Sequence, residues 1–265
     1  MRRLVLAVGL TVLVATFPAG GLGGKGTSST ALYPDLQTVV PRHLVIQNQQ
    51  QREYLRFANG IANTGAGGLQ LRPDPPPRTV DTLITTAVQE LLDASGNVVA
   101  SQVAGTFEYH PEHNHWHIGD VALFEVRVGS PTGPILRNDR DESVSLKRTF
   151  CLIDWYALEG NSNTKERVYW DCATSLQGIS PGWVDQYHQS LEGQKIDITG
   201  AKPGTYYLVS TANPAGRFLE TSYTNNSAWT SFELTRDSSG NPKIAIVGHS
   251  PCATTGLCGD NAPNR

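Results

Sequence analysis

The chain is 265 residues long, with 21 Lys and Arg against 24 Asp and Glu and a formal charge of −3. That length suffices for one large domain with a real core. The mildly acidic balance argues against nucleic acid as a partner, because phosphates demand a basic face.

The first stretch, "MRRLVLAVGLTVLVATFPAGG", has a basic start, an apolar run of about fourteen residues and then small residues, which reads as a secretory leader too short for a comfortable membrane span. We place the leader at 1–24 and a single domain at 25–265. Removing Arg2 and Arg3 with the leader takes the net charge from −3 to about −5. No other stretch is long and apolar enough to cross a bilayer, so the sequence predicts an extracellular protein with no membrane span once the leader is gone.

The rest reads as short strands between turns. "EYLRFANGIANTGAGGLQLRP" is a strand, a Gly-rich turn and a strand. "PDPPP" at 73–77 excludes helix and central strand. "QELLDASGNVVASQVAGTFEYH" predicts a hairpin turning at Ser95, Gly96 and Asn97. "TLITTAVQELLDA" is also compatible with a short helix, since its period does not decide. "HIGDVALFEVRV", "ESVSLKRTFCLID", "QKIDITG", "GTYYLVSTANP", "SAWTSFELTRD" and "PKIAIVG" complete the strands. Many short strands at this spacing predict an all-β, single-domain β-sandwich with little helix. Two long polar loops, "WYALEGNSNTKER" and "TSLQGISPGWVDQYHQSLEGQ", are candidates for function. The tail after Gly248 reads as irregular, pinned by Cys252 and Cys258.

All four cysteines follow residue 150, and an exported chain favours disulfides. Three pairings are open; short loop closure favours Cys151–Cys172 with Cys252–Cys258. No pair has CxxC spacing, which argues against a four-cysteine zinc site.

"HPEHNHWH" at 110–117 holds four of the seven histidines. In an extended strand His113, His115 and His117 share a face. Three neutral imidazoles converging on one point make a metal site, and the tract runs straight into a good strand. His110 is out of phase, a neighbour rather than a ligand. Three histidines suit zinc, activating water for hydrolysis, and equally copper, with oxygen chemistry. The window leaves a hydrolase and an oxidase open, beside a non-catalytic secreted module that keeps a metal for structure.

"LRFANGIANTG", "HPEHNHWHIGD", "LKRTFC", "LQGISPGWVDQYHQSLEGQKIDITGAKPGTYYL", "VSTANP" and "ETSYTNN" occur in this order over about residues 50–235. Together they resemble the catalytic domain of the lysyl oxidase family. The resemblance implies a copper amine oxidase whose cofactor, lysine tyrosylquinone, is made from its own side chains. It further implies His113, His115 and His117 as copper ligands, and Lys147 of "LKRTFC" with Tyr187 of "VDQY" as the catalytic cofactor pair. Primary amines or lysine-containing peptides and dioxygen would be the substrates; aldehyde, hydrogen peroxide and ammonia would be the products. From the residues alone, Lys147 is a solvated strand lysine and Tyr187 a loop tyrosine. Asp120 and Asp185 are both candidates for the base; Asp120 needs a bulge near Gly119 to face inward. Glu112 stands where animal relatives carry a cysteine, and "EGNSNTKE" reads as an insertion.

Overall fold

The structure, a computed structural model, describes residues 30–76, 83–112, 114–172 and 176–263. The residues read as a leader, 1–24, lie outside the described residues. Fourteen strands and one helical turn follow in chain order. They are β1 (Leu36–Gln49), β2 (Arg52–Asn63), β3 (Leu69–Asp74), β4 (Ile84–Leu92), β5 (Val98–His110), β6 (His115–Val128) and β7 (Ser145–Phe150). Then come β8 (Tyr156–Ala157), β9 (Gln177–Ile179), β10 (Trp183–Tyr187), β11 (Lys195–Asp197), β12 (Gly204–Ala212), β13 (Ser227–Arg236), β14 (Pro242–His249) and α1 (Thr255–Cys258).

One antiparallel sheet runs β1-β2-β10-β8, with β11 also on β2; the other runs β14-β13-β12-β6-β5-β4-β3-β9, with β7 also on β6. The sheets pack face to face, as predicted. Alternation in β2 turns Leu55, Phe57 and Ile61 toward the other sheet. There the Phe57 ring meets Phe124 of β6 edge-on, centroids 4.7 Å apart. Each fully buried side chain of this kind stabilises the fold by about 1.5–3 kcal/mol.

The outer face of β2 is closed by small residues. A Cβ on Gly60 would sit 2.9 Å from Val184, so β10 packs tightly there. A second apolar cluster joins Val39, Ala62, Tyr156, Val184 and Leu257. Its cover is the C-terminal tail, which forms one helical turn capped by Thr254 and by Gly259 in the left-handed region. The Arg42 guanidinium donates to the Gly259 carbonyl at 2.6 Å and to Gln186 at 2.9 Å. The tail is thus held by the expected Cys252–Cys258 disulfide and also by burial of Leu257 in this cluster.

The ambiguous stretch before the hairpin is strand β4. It pairs with β5 on one side and β3 on the other, and this ladder overrides the helical alternative. The turn falls where predicted: Asp93 accepts from the backbone N–H of Ser95 and Asn97, and Gly96 takes φ 83°. Both favoured disulfides are present, with Cα–Cα separations of 5.6 Å for Cys151–Cys172 and 5.5 Å for Cys252–Cys258. Asp154 organises the loop between them. Fully buried, it accepts from the N–H groups of Val168, Tyr169 and Ser180 and from the Ser180 hydroxyl.

Candidate active site

The β5–β6 hairpin presents the histidines. β6 starts at His115, so His115 and His117 share one strand face, and their Nε2 atoms lie 2.8 Å apart. His113 lies outside the described residues. The chain turns between the strands, with Asn114 at φ 56° donating to the His110 carbonyl. This hairpin sets His110 opposite His115 and stacks its ring on His117 at 4.2 Å between centroids. The position that looked out of phase on one strand is therefore adjacent across two.

The Nε2 pair fits a metal. Two imidazole nitrogens bound at about 2.0 Å, at a right angle to each other, stand roughly 2.8 Å apart. The far nitrogen of His117, Nδ1, lies 3.3 Å from the Thr149 hydroxyl on β7. That contact orients the ring and leaves Nε2 for an ion.

Tyr187 and Asp185 reach the same place from the opposite sheet. Tyr187 closes strand β10 instead of lying in a loop, and the period of two puts Trp183, Asp185 and Tyr187 on the face opposite Val184. A cavity of about 360 Å³ is lined by His115, His117, Trp155, Asp185, Tyr187 and His188, with the Cys151–Cys172 disulfide in its wall. The Tyr187 ring stacks on Phe150 at 4.0 Å, and its hydroxyl donates to the Cys151 carbonyl at 2.5 Å. Burial, and after it the Asp185 carboxyl, push the phenol well above its ordinary pKa.

Asp185 is 2% exposed, and its Oδ2 has no hydrogen-bond partner among the described residues. Burial, and after it the nearby Asp154 charge, raises its pKa well above the usual carboxylate range, against hydrogen bonds from the Ile153 backbone and the Tyr187 side chain that lower it.

Lys147 does not line the cavity. It pairs with Leu123 across β6–β7, its side chain is 61% exposed, and its Nζ lies 3.8 Å from Asp120. By strand parity it shares a face with Thr149, whereas Phe150, which carries Tyr187, is on the other. The bulge that Asp120 required exists. The β6–β7 register breaks between Ile118 and Ala122, with Asp120 at φ 54°. Its carboxylate faces Lys147 and Arg217, not the cavity.

Thr149, Phe150 and the Cys151 carbonyl were not legible as site groups. Their common signal is adjacency to Lys147 on one short strand, which says nothing until β7 is seen against both β6 and β10.

A sequence profile described as lysyl oxidase matches residues 93–240. The match begins after "LRFANGIANTG", so that block of the resemblance falls outside it. Over 121 residues, 46% of this chain, the chain is 33% identical to lysyl oxidase homolog 1 of Homo sapiens, covering 19% of that protein. It is 31% identical to protein-lysine 6-oxidase of Sus scrofa, covering 44% of it, and 32% identical to that of Homo sapiens, covering 26%. The aligned region thus spans less than half the length of these relatives.

Proposed function

The chain belongs to the lysyl oxidase family, and from this we propose that it is a secreted copper amine oxidase acting on primary amines, peptidyl lysine among them. The observation that carries the proposal is convergence: histidines from one sheet and a tyrosine beside a buried carboxyl from the other line one cavity.

In this reading His115 and His117, with His113, hold copper, and Lys147 with Tyr187 supplies lysine tyrosylquinone. Bound copper and quinone would supply the redox chemistry of the net conversion of R–CH2–NH2, O2 and H2O into R–CHO, NH3 and H2O2, with O2 as the two-electron oxidant. The chain's own residues do the rest. Ile153, Trp155 and Leu191 give the cavity an apolar wall for the stem of the amine and keep bulk water out. Asp185 is the base for the proton on the carbon next to nitrogen. Its raised pKa makes it a stronger proton acceptor than an exposed carboxylate. Phe150 and the Cys151 carbonyl fix the plane and the oxygen of Tyr187. Because Lys147 and Phe150 have opposite parity on β7, joining Lys147 to Tyr187 requires the end of β7 or the segment leading into β10 to shift.

The test is direct. Copper-loaded protein should show a visible band that phenylhydrazine shifts, release peroxide when given a simple amine, and yield a peptide map with Lys147 and Tyr187 in one linked fragment. Separate fragments and no oxygen uptake would end the proposal.

A further inference from the structure

Asp120 is the one non-glycine residue of β6 in the left-handed region, at φ 54°, where L side chains are strained. The strain buys a position. Four residues of β6, from Ile118 to Ala122, advance against two of β7, from Phe150 to Arg148. The extra length pushes the Asp120 carboxylate out between β7 and the 213–221 loop. There its two oxygens are divided. Oδ1 lies 3.8 Å from Lys147 Nζ, and Oδ2 lies 3.2 Å from Arg217 Nη2. Arg217 is itself anchored. Its carbonyl accepts from Gln102 at 2.8 Å, and its guanidinium lies against Gly105, where a Cβ would come within 3.3 Å.

We propose that Asp120 is a positioning residue for Lys147, an exchangeable tether that holds the amine on the His117 side of β7. The lysine stem is 61% exposed and so is little restrained by packing; the carboxylate supplies the restraint. Arg217 makes the tether releasable, since the carboxylate keeps a cation partner when Lys147 swings toward Tyr187. Asp120 and Arg217 therefore act on Lys147 with opposite sign. Asp120 retains it, and Arg217 competes for the same carboxylate. The tether itself is a property of the metal-free chain; its purpose rests on the cofactor reading above.

The first measurement uses full-length, metal-free protein and the rate at which acetic anhydride labels Lys147, with Lys165 and Lys202 as internal references. Asp120→Asn should raise the relative rate and Arg217→Gln should lower it, each by roughly two- to fivefold, the range of a half-exposed ion pair. Unchanged rates, or changes of the same sign in both variants, overturn the tether. Arg217→Gln keeps the test alive if Asp120→Asn does not fold. The second measurement adds copper in air-saturated buffer, because the link loses four hydrogens and gains one oxygen at the expense of two O2 (giving H2O and H2O2), and follows the linked Lys147–Tyr187 fragment by mass spectrometry. The link should form sooner in Asp120→Asn and later in Arg217→Gln; equal half-times overturn the positioning role. Labelling that moves as expected, with no link in any of the three proteins, sinks the cofactor assignment and not the tether.

Discussion

Tyr187 of one sheet donates its hydroxyl to the backbone carbonyl of Cys151, which continues from a strand of the other sheet. This bond ties the proposed cofactor ring to the strand that also carries Lys147 and Thr149. Tyr187→Phe keeps the ring on Phe150 but leaves the Cys151 carbonyl without this donor, a loss worth about 1–3 kcal/mol. We expect copper content to stay at the wild-type level, the melting temperature to fall by several degrees, and the phenylhydrazine-sensitive band and peroxide release to vanish. Metal analysis, thermal unfolding and absorbance check each part; full oxidase activity in this variant would remove Tyr187 from the cofactor.

Asp185 makes a prediction about pH. Its folded-state pKa is raised, by burial first. In the window from the ordinary carboxylate value up to the folded value, the folded chain then binds more protons than the unfolded one. Its contribution to stability is accordingly complete at low pH and declines as pH rises through that window. Asp185→Asn cannot ionise and should flatten this decline, seen in denaturant midpoints measured across the acid and neutral range. As the proposed base, the same change should cut kcat by about 10²- to 10⁴-fold while copper stays bound. A variant with normal turnover would assign the proton transfer elsewhere.

How much of this was readable beforehand depends on whether the information was local. The alternation in β2 and β6 and the turn at Ser95 to Asn97 are nearest-neighbour patterns, and they gave the sandwich. The pairing of Cys151 with Cys172 followed from chain closure. The histidines were legible because three of them fall at spacing two. Strand β4 was ambiguous because short apolar runs fit both periods, and only its neighbours on both sides decide it. The contacts of Tyr187 with Phe150 and of His117 with Thr149 cross sheets or strands more than thirty residues apart. Register sets such contacts, and no window of sequence contains it. Lys147 shows the limit from the other side. Its exposed, ion-paired position is what its own strand pattern predicts, and only the family resemblance gives it chemistry.

Thr149 tests the metal reading without turnover. If its hydroxyl receives the Nδ1 hydrogen of His117, the near-isosteric Thr149→Val leaves that nitrogen unpaired and the ring free to turn. Weakening by 10- to 100-fold in copper affinity is expected for an outer partner of this kind, with Thr149→Ser close to wild type. Competition titration against a chelator measures it. His115→Ala is the reference, expected to lose the metal and the cofactor together. Equal affinity in Thr149→Val and wild type would show that the 3.3 Å contact does not set the ring.

The loop closed by Cys151 and Cys172 forms one wall of the cavity. Among the described residues Asp154 accepts four hydrogen bonds, from the backbone N–H groups of Val168, Tyr169 and Ser180 and from the Ser180 hydroxyl. Asp154→Asn preserves shape but exchanges one acceptor oxygen for an amide that points hydrogens at hydrogens. In a fully buried position at least one backbone N–H then loses its partner. The expected cost is about 2–4 kcal/mol. Residues 168–169 and 180 are held by this one carboxylate; Trp155 of the wall follows Asp154 directly, and Cys172 lies three residues after Tyr169. The damage should therefore reach the site: hydrogen exchange should accelerate at Val168, Tyr169 and Ser180 first, with KM for amines rising more than kcat falls. Uniform acceleration across both sheets instead would mean that Asp154 supports the whole fold and not this wall.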